Sequence, residues 1–128
     1  MDTLITNDVR ISVEAFYQPN YSKPDVGEYV FAYRITIENL NPFTVQLLRR
    51  HWLIFDSAGE RREVEGEGVI GKQPILQPGG VHQYVSWSNL NSEIGSMQGT
   101  YQFSRADTNE IFEVDIPMFR LITPYRLN

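Results

Sequence analysis

A glycine-rich segment is the part of this sequence whose residue types and spacing most resemble a chemical site. Gly66, Gly68 and Gly71 have the G-x-G-x-x-G spacing of a dinucleotide-binding turn, and with Lys72 they also follow most of a phosphate-binding P-loop. Both motifs hold phosphate at the start of a helix. Here two prolines follow closely enough to stop a helix, and Gln73 occupies the position whose hydroxyl would bind magnesium. Both motifs are therefore incomplete.

Two interpretations of the segment remain. The glycines could permit a bulge or a tight connection between strands, because glycine adopts backbone conformations that other residues avoid. Alternatively, successive amides could form a concave nest for a phosphate or carboxylate, with a lysine adding positive charge. The second interpretation predicts a small-anion site made of Gly66, Gly68, Gly71, Lys72 and Gln73.

Three glutamates form a second candidate site. Glu63, Glu65 and Glu67 alternate along the chain, so on a strand all three carboxylates project from one face and could attract a hard divalent cation. Side chains two residues apart on a strand are separated by roughly 6.5–7 Å, so such a site needs other ligands. A row of charges on an edge strand also discourages aggregation between sheets, which is the simpler explanation.

No arrangement of nucleophile and base is evident in the sequence. His51 and His82 are the only histidines. His82 and Ser86 lie on the same side of a strand, but four residues of extended chain separate them by roughly 13 Å, beyond the reach of a catalytic pair. We therefore predict no catalytic residues and no cofactor. An enzyme acting on phosphoanhydrides through Lys72 is the alternative.

The aromatic residues divide into core and surface candidates. Trp52 lies in a nearly continuous apolar run, which indicates a core position on a central strand. Trp87 and Tyr84 are amphipathic aromatics that suit either a core or a binding surface. We predict that these two residues form an interaction surface if Trp87 is exposed beside other apolar groups.

Composition limits the classes of partner and compartment. The 128 residues carry a formal charge of −5 and no sustained basic stripe, which argues against nucleic acid as a partner. The lack of cysteine suits a reducing compartment, so we expect a cytoplasmic protein. No apolar run approaches the roughly 20 residues that a membrane helix needs, so we expect no membrane contact.

Alternating hydrophobic residues predict a chain made of strands. Turn-forming residues separate the segments, and no segment has a sustained helical period. Continuous apolar sequence marks the third strand as central, and the fourth is polar. The predicted strands are Val9–Tyr17, Tyr29–Ile37, Val45–Asp56, Arg61–Val69, Val81–Trp87, Gly99–Ser104 and Ile111–Met118.

Seven short strands favour one domain, residues 1–128, folded as an antiparallel β-sandwich of the immunoglobulin or fibronectin type III class. A closed barrel is the alternative. The tail after Pro117 is expected to leave the sandwich as an extended arm, and that arm or an exposed edge could pair with another chain by strand addition, giving a homodimer or a peptide-binding mode.

Several short motifs occur in order along nearly the whole chain. They are Phe31-Ala32-Tyr33, Val45-Gln46-Leu47, Arg50-His51-Trp52, Gly66 to Pro74, Leu76 with Pro78-Gly79, Gly95 to Gly99, and Ile116-Pro117-Met118-Phe119. Together these motifs resemble the bacterial ApaG family. In this chain Ser86-Trp87-Ser88 replaces a Ser-Gly pair that is expected from the family.

This resemblance implies a fibronectin type III-like sandwich that occurs alone in bacteria and as a domain in eukaryotic F-box proteins and a polymerase-delta-interacting protein. Those settings imply protein binding. The family is also tied to cobalt resistance and magnesium efflux, for which this chain could act only indirectly. The resulting expectation is a non-catalytic binding module for a protein or a small anionic ligand.

Overall fold

A computed structural model describes residues 1–126. Within that range the chain forms nine strands and three short 3₁₀ helices, at Pro19–Tyr21, Pro24–Val26 and Pro124–Arg126. None of these helices has the length and apolar character needed to cross a bilayer. The strands are β1 (Asp2–Thr6), β2 (Val9–Tyr17), β3 (Tyr29–Asn39), β4 (Val45–Asp56), β5 (Arg61–Glu67), β6 (Ile75–Leu76), β7 (Val81–Leu90), β8 (Ile94–Arg105) and β9 (Ile111–Ile122).

The strands form two antiparallel sheets, which confirms the predicted β-sandwich. The first sheet has the order β1-β2-β3-β7. The second has the order β5-β4-β8-β9, and β6 also pairs with β4. Strand β4 pairs with β5 on one side and with β8 on the other, so its predicted central position is confirmed. The polar strand β5 is an edge strand.

Residues that alternate along the strands fill the core between the sheets. Ile11 and Ile35 contribute from the first sheet, and Leu47 and Phe103 from the second; all four have no exposed surface. Burial of each such side chain contributes about 1.5–3 kcal/mol. Trp52 is 2% exposed and packs edge-on against surrounding aromatic rings, so its predicted core position is confirmed.

The end of the chain corrects one prediction. Strand β9 continues to Ile122, and Phe119 and Leu121 are buried, so the residues after Pro117 do not form an extended arm. The pairing of β8 with β9 shifts register at Met97/Gly99, opposite this part of β9. Such a bulge changes which residues face inward. The inward-facing positions of β9 therefore change from even to odd residue numbers at Pro117. A strict two-residue alternation consequently does not predict that the strand continues beyond this point.

Two short strands were also missed by the sequence pattern. Strand β1 pairs with β2, but most of its residues are exposed and it has no apolar face to reveal it. Strand β6 has two residues and pairs with Val45 and Gln46 of β4.

The two lateral edges of the sandwich differ. At one edge, β1 and β2 lie beside β9. There the Asn7 side chain donates to the Glu113 carbonyl at 2.7 Å, and the Asp115 amide donates to Thr6 Oγ1 at 3.3 Å. At the opposite edge, β5 and β7 border a cavity of about 330 Å³, which we call the β5–β7 cavity.

Candidate functional site

The glycine-rich segment forms a tight hairpin turn next to the β5–β7 cavity. Val69 and Lys72 exchange backbone hydrogen bonds of 2.8 and 3.0 Å. The two residues between them, Ile70 and Gly71, both have positive φ angles, 48° and 72°. That combination is characteristic of a type I′ turn. The segment opens no helix, as its prolines predicted.

The first two glycines of the motif make room for neighbouring groups. A Cβ atom at Gly66 would lie 2.8 Å from Arg50 Nη1, so this glycine leaves space for a guanidinium group. Gly68 has a φ of 63°, and a Cβ there would lie 2.2 Å from the Lys72 carbonyl oxygen. Gly71 has open space around it, so glycine is favoured at this position only because the turn needs a positive φ angle.

Three backbone donors of the segment are already used. The amide of Gly68 donates to the Leu48 carbonyl, and those of Val69 and Lys72 donate to each other's carbonyls. The Gln73 side chain also donates to Leu48, at 3.0 Å. The five residues predicted to bind an anion lie along one hairpin: Gly66 is in β5, and the other four form or flank the turn. The anion hypothesis remains a prediction, and these occupied amides favour the structural role of the glycines.

Arg50 is the functional candidate that the sequence reasoning missed. It lies on β4 and points inward, because a register shift between Leu47 and Arg49 reverses the alternation of the strand. Its Nη1 donates to the carbonyls of Glu67 and Gly68, both at 3.0 Å. No carboxylate of residues 1–126 forms an ion pair with it. The guanidinium is therefore held in place by backbone carbonyls rather than by an ion pair.

Aromatic and polar groups share the walls of the β5–β7 cavity. Burial raises the pKa of the Tyr33 hydroxyl, although the Ser86 hydroxyl and Arg50 partly oppose this. Burial also raises the pKa of Tyr84, whose hydroxyl lies 2.5 Å from that of Tyr101. Both cavity tyrosines consequently remain neutral hydrogen-bonding groups at physiological pH. Arg50 and Glu67 are the charged groups that line this space.

Ser88 is the polar wall residue whose hydrogen bonding is incomplete. The residue is 7% exposed, and its Oγ has no hydrogen-bond partner within the described part of the chain. It also lines the β5–β7 cavity. A buried hydroxyl without a partner costs about 1–3 kcal/mol, so native proteins seldom retain one.

The two residues predicted to form an interaction surface lie in different environments. Trp87 is 51% exposed, and the ring centroid of Tyr21 is 5.3 Å from its own. Tyr84 is 9% exposed, and its hydroxyl bonds to Tyr101 inside the sandwich. Positions 84 and 87 face opposite sides of β7 because side chains alternate along a strand. The exposed surface thus includes Trp87 and excludes Tyr84.

The structure brings two of the three predicted metal ligands together with a histidine. His51 Nε2 lies 2.6 Å from a Glu63 oxygen and 3.6 Å from a Glu65 oxygen. Potential ligand atoms of the three residues all lie within 4.8 Å of one another. Glu67 lines the β5–β7 cavity instead. Glu63 and Glu65 are more than half exposed, and the metal hypothesis remains a prediction.

Comparison with known proteins identifies the family. The family model for the ApaG domain matches residues 19–105. The chain belongs to the ApaG family. It is 49% identical to an ApaG protein of Acidithiobacillus ferrooxidans, over 89% of each chain, and 42% identical to one of Proteus mirabilis, over 96% of this chain and 98% of that one. The family resemblance predicted from the sequence is confirmed.

A solved structure supports the same fold. The crystal structure of a Bordetella pertussis protein named ApaA is 40% identical in sequence and superposes with a TM-score of 0.88, covering 91% of this chain and 94% of that one. Arg50 lies in the Arg50-His51-Trp52 motif that marked the ApaG family in the sequence. A charged residue within the apolar run of a central strand was the signal that could have identified it.

Proposed function

We propose that this ApaG-family chain is a non-catalytic protein-binding module that receives an extended segment of its partner along β7. The main support is that Trp87 is half-exposed and lies on β7, an edge strand of its sheet. Strand β7 pairs with β3 on one side, and within residues 1–126 no strand pairs with its other side. Such an edge offers backbone hydrogen bonds to an extended peptide.

The side chains beside this edge suit an apolar partner. Val81, Val85 and Trp87 lie on the outer side of β7 and are 57%, 50% and 51% exposed. Phe16, which is 43% exposed, shares their sheet face, two strands away from Trp87. Aromatic side chains are enriched in the centres of protein interfaces, where they lose contact with water.

Charges on the same face are already paired. Arg34 contacts Glu14 at 2.9 Å, and Arg10 contacts Glu38 at 2.6 Å. Paired charges give a partner little electrostatic attraction. Recognition is therefore expected to depend on backbone pairing and apolar contact, with modest sensitivity to salt. Binding of phosphate by the glycine segment is less well supported, because the amides of Gly68, Val69 and Lys72 donate to backbone carbonyls.

Affinity capture with two matched variants tests the proposal. Trp87→Ser removes the exposed indole from β7, and Leu53→Ser removes a side chain of similar exposure, 42%, from the other sheet. We expect Trp87→Ser to lose a partner, identified by mass spectrometry, that Leu53→Ser retains. Sedimentation of the purified chain reveals whether the occupant is a second copy. Equal capture by wild type and both variants would rule out the β7 surface.

A further inference from the structure

The inward-facing side of the open edge has features that strand addition does not use. The β5–β7 cavity has a volume of about 330 Å³ and lies at the small end of the range typical of ligand pockets. The turn containing Ile70 and Gly71 forms part of its lining. At the other end of this edge, the Arg62 side chain of β5 donates to the Asn89 carbonyl of β7. The edge is thus bridged by a side chain as well as bordered by a turn.

The charge in this cavity is fixed and available. Two carbonyl acceptors hold Arg50 Nη1, and the guanidinium lies against Gly66, where any larger residue would collide with it. Three other arginines, Arg10, Arg34 and Arg105, pair with carboxylates. Arg50 has no such partner within residues 1–126. A positioned guanidinium is well suited to hold a carboxylate, because its donors form a planar fork.

The buried Ser88 hydroxyl is an independent indication of a ligand. Its Oγ lacks a partner in the described structure, and the residue lines the same cavity as Arg50. A carboxylate accepts hydrogen bonds from hydroxyl and guanidinium donors alike, and both donors line this cavity, so a bound carboxylate can accept from Ser88 Oγ. That interaction would remove the cost of the unpaired hydroxyl.

The other residues that line the cavity indicate which chemical groups the ligand carries besides its carboxylate. Trp52, Met97 and Ile54 provide apolar and aromatic surface, which suits an apolar group attached to the carboxylate. Glu67 lines the same cavity, and its carboxylate would repel a second negative charge on the ligand. This favours a monoanion over a phosphate or a nucleotide. Lys72, which belongs to the predicted phosphate loop, is not part of the lining.

We propose that the β5–β7 cavity binds a carboxylate carried by an aromatic or branched aliphatic group, with Arg50 and Ser88 as its polar contacts. Two sources share this chemistry: a free monocarboxylic acid, and the C-terminal residue of a peptide that ends in an apolar side chain. The inference does not depend on strand addition at β7, because Arg50 and Ser88 face inward.

Three probes separate the sources in NMR titrations of the ¹⁵N-labelled chain. Phenylacetate represents a free acid, N-acetylphenylalanine represents a peptide C-terminus, and N-acetylphenylalaninamide is the uncharged control. The indole signal of Trp52 and the backbone amide signals of Tyr33 and Ser88 report on the cavity, since these residues line it. We expect the carboxylates to shift these signals and the amide to leave them unchanged. Tighter binding of phenylacetate indicates a free acid, and tighter binding of N-acetylphenylalanine indicates a C-terminus.

Variants identify the polar contacts. Arg50→Gln should weaken carboxylate binding at least about ten-fold, whereas Arg49→Gln, which removes the neighbouring exposed charge, should change it less than about two-fold. Ser88→Ala should weaken it about three-fold and remains informative if Arg50→Gln fails to fold. Equal binding of the amide, no indole shift at millimolar carboxylate, or equal weakening by both arginine variants would overturn the proposal. If the wild-type chain captures a partner through β7 but binds none of the carboxylate probes, this proposal fails while the proposed function stands.

Discussion

At one lateral edge of the sandwich, hydrogen bonds join the β1–β2 side to β9, whereas at the other edge β5 and β7 border a cavity. The joined edge uses short local groups: the side chains of Thr6 and Asn7 contact the backbone of β9. The open edge has larger groups, including Arg50 and Trp87, and retains the Ser88 hydroxyl, which has no partner among residues 1–126. The Thr6 and Asn7 side chains are thus satisfied by internal hydrogen bonds, whereas the Ser88 hydroxyl is left available to a ligand.

The open edge is nevertheless anchored beyond the cavity. Asp56, at the end of β4, is 2% exposed. Its carboxylate accepts hydrogen bonds from the Ala58 amide, the Asn91 amide and the Ser92 hydroxyl. These contacts tie the β4–β5 turn to the β7–β8 turn. Strands β5 and β7 can therefore remain apart at the cavity, because these two turns hold the same edge together at one end.

Replacement of Asp56 has the largest expected effect. Asp56→Ala leaves three donors without their acceptor, so we expect a loss of about 4 kcal/mol in the free energy of unfolding, measured in urea. Asn7→Gly at the joined edge should cost about 1 kcal/mol, because it removes one hydrogen bond and tolerates the positive φ of this position. Similar losses for the two variants would contradict the proposed anchor.

The same carboxylate should produce a pH dependence. Burial opposes ionisation of Asp56, but the hydrogen bonds from Ser92, Asn91 and Ala58 together with the charge of Arg62 outweigh it and lower its pKa below 3.8. Its stabilisation is therefore present above the unfolded pKa and lost as pH falls through the lower folded value. Asp56→Asn should be destabilised near neutral pH and should approach wild type in urea midpoint as the solution is acidified.

Two glycines of the hairpin turn provide the next test. Gly68→Ala should cost about 3 kcal/mol, because it combines a positive φ with a collision against the Lys72 carbonyl. Gly71→Ala should cost about 1 kcal/mol, since its φ is similar but its surroundings are open. Thermal unfolding of the two variants measures the difference. Equal losses would show that the close approach at Gly68 does not constrain the turn.

The sequence predicts the strands better than it predicts the open edge. A nearly continuous apolar run gives the bounds of β4 and places Trp52 in the core, and local alternation gives the bounds of β2. It fails where a bulge reverses the inward positions, as it does in β4 before Arg50 and in β9 at Pro117. Alternation therefore cannot show that an arginine in a central strand points inward.

The polar character of the cavity depends on contacts that are distant in sequence. Arg50 is positioned by carbonyls seventeen and eighteen residues later in the chain. Ser88 is buried opposite Phe31 of β3. No local pattern around either residue reports these pairings, although the glycine spacing did identify the turn beside the cavity. That spacing suggested a phosphate loop, while in the structure Gly66 makes room for a guanidinium.

The smallest expected effect on stability distinguishes the two edges most directly. Ser88→Ala removes a buried hydroxyl that has no partner in the described part of the chain, so it should leave the free energy of unfolding unchanged or raise it by up to about 1 kcal/mol. At the joined edge, Thr6→Val also removes a hydroxyl, but this one accepts from the Asp115 amide, so a loss of about 0.5–1 kcal/mol is expected. Urea denaturation without ligand compares the two variants. A loss on Ser88→Ala as large as on Thr6→Val would mean that the serine hydroxyl is satisfied within the free protein, and the open edge would then hold no unused donor for a carboxylate.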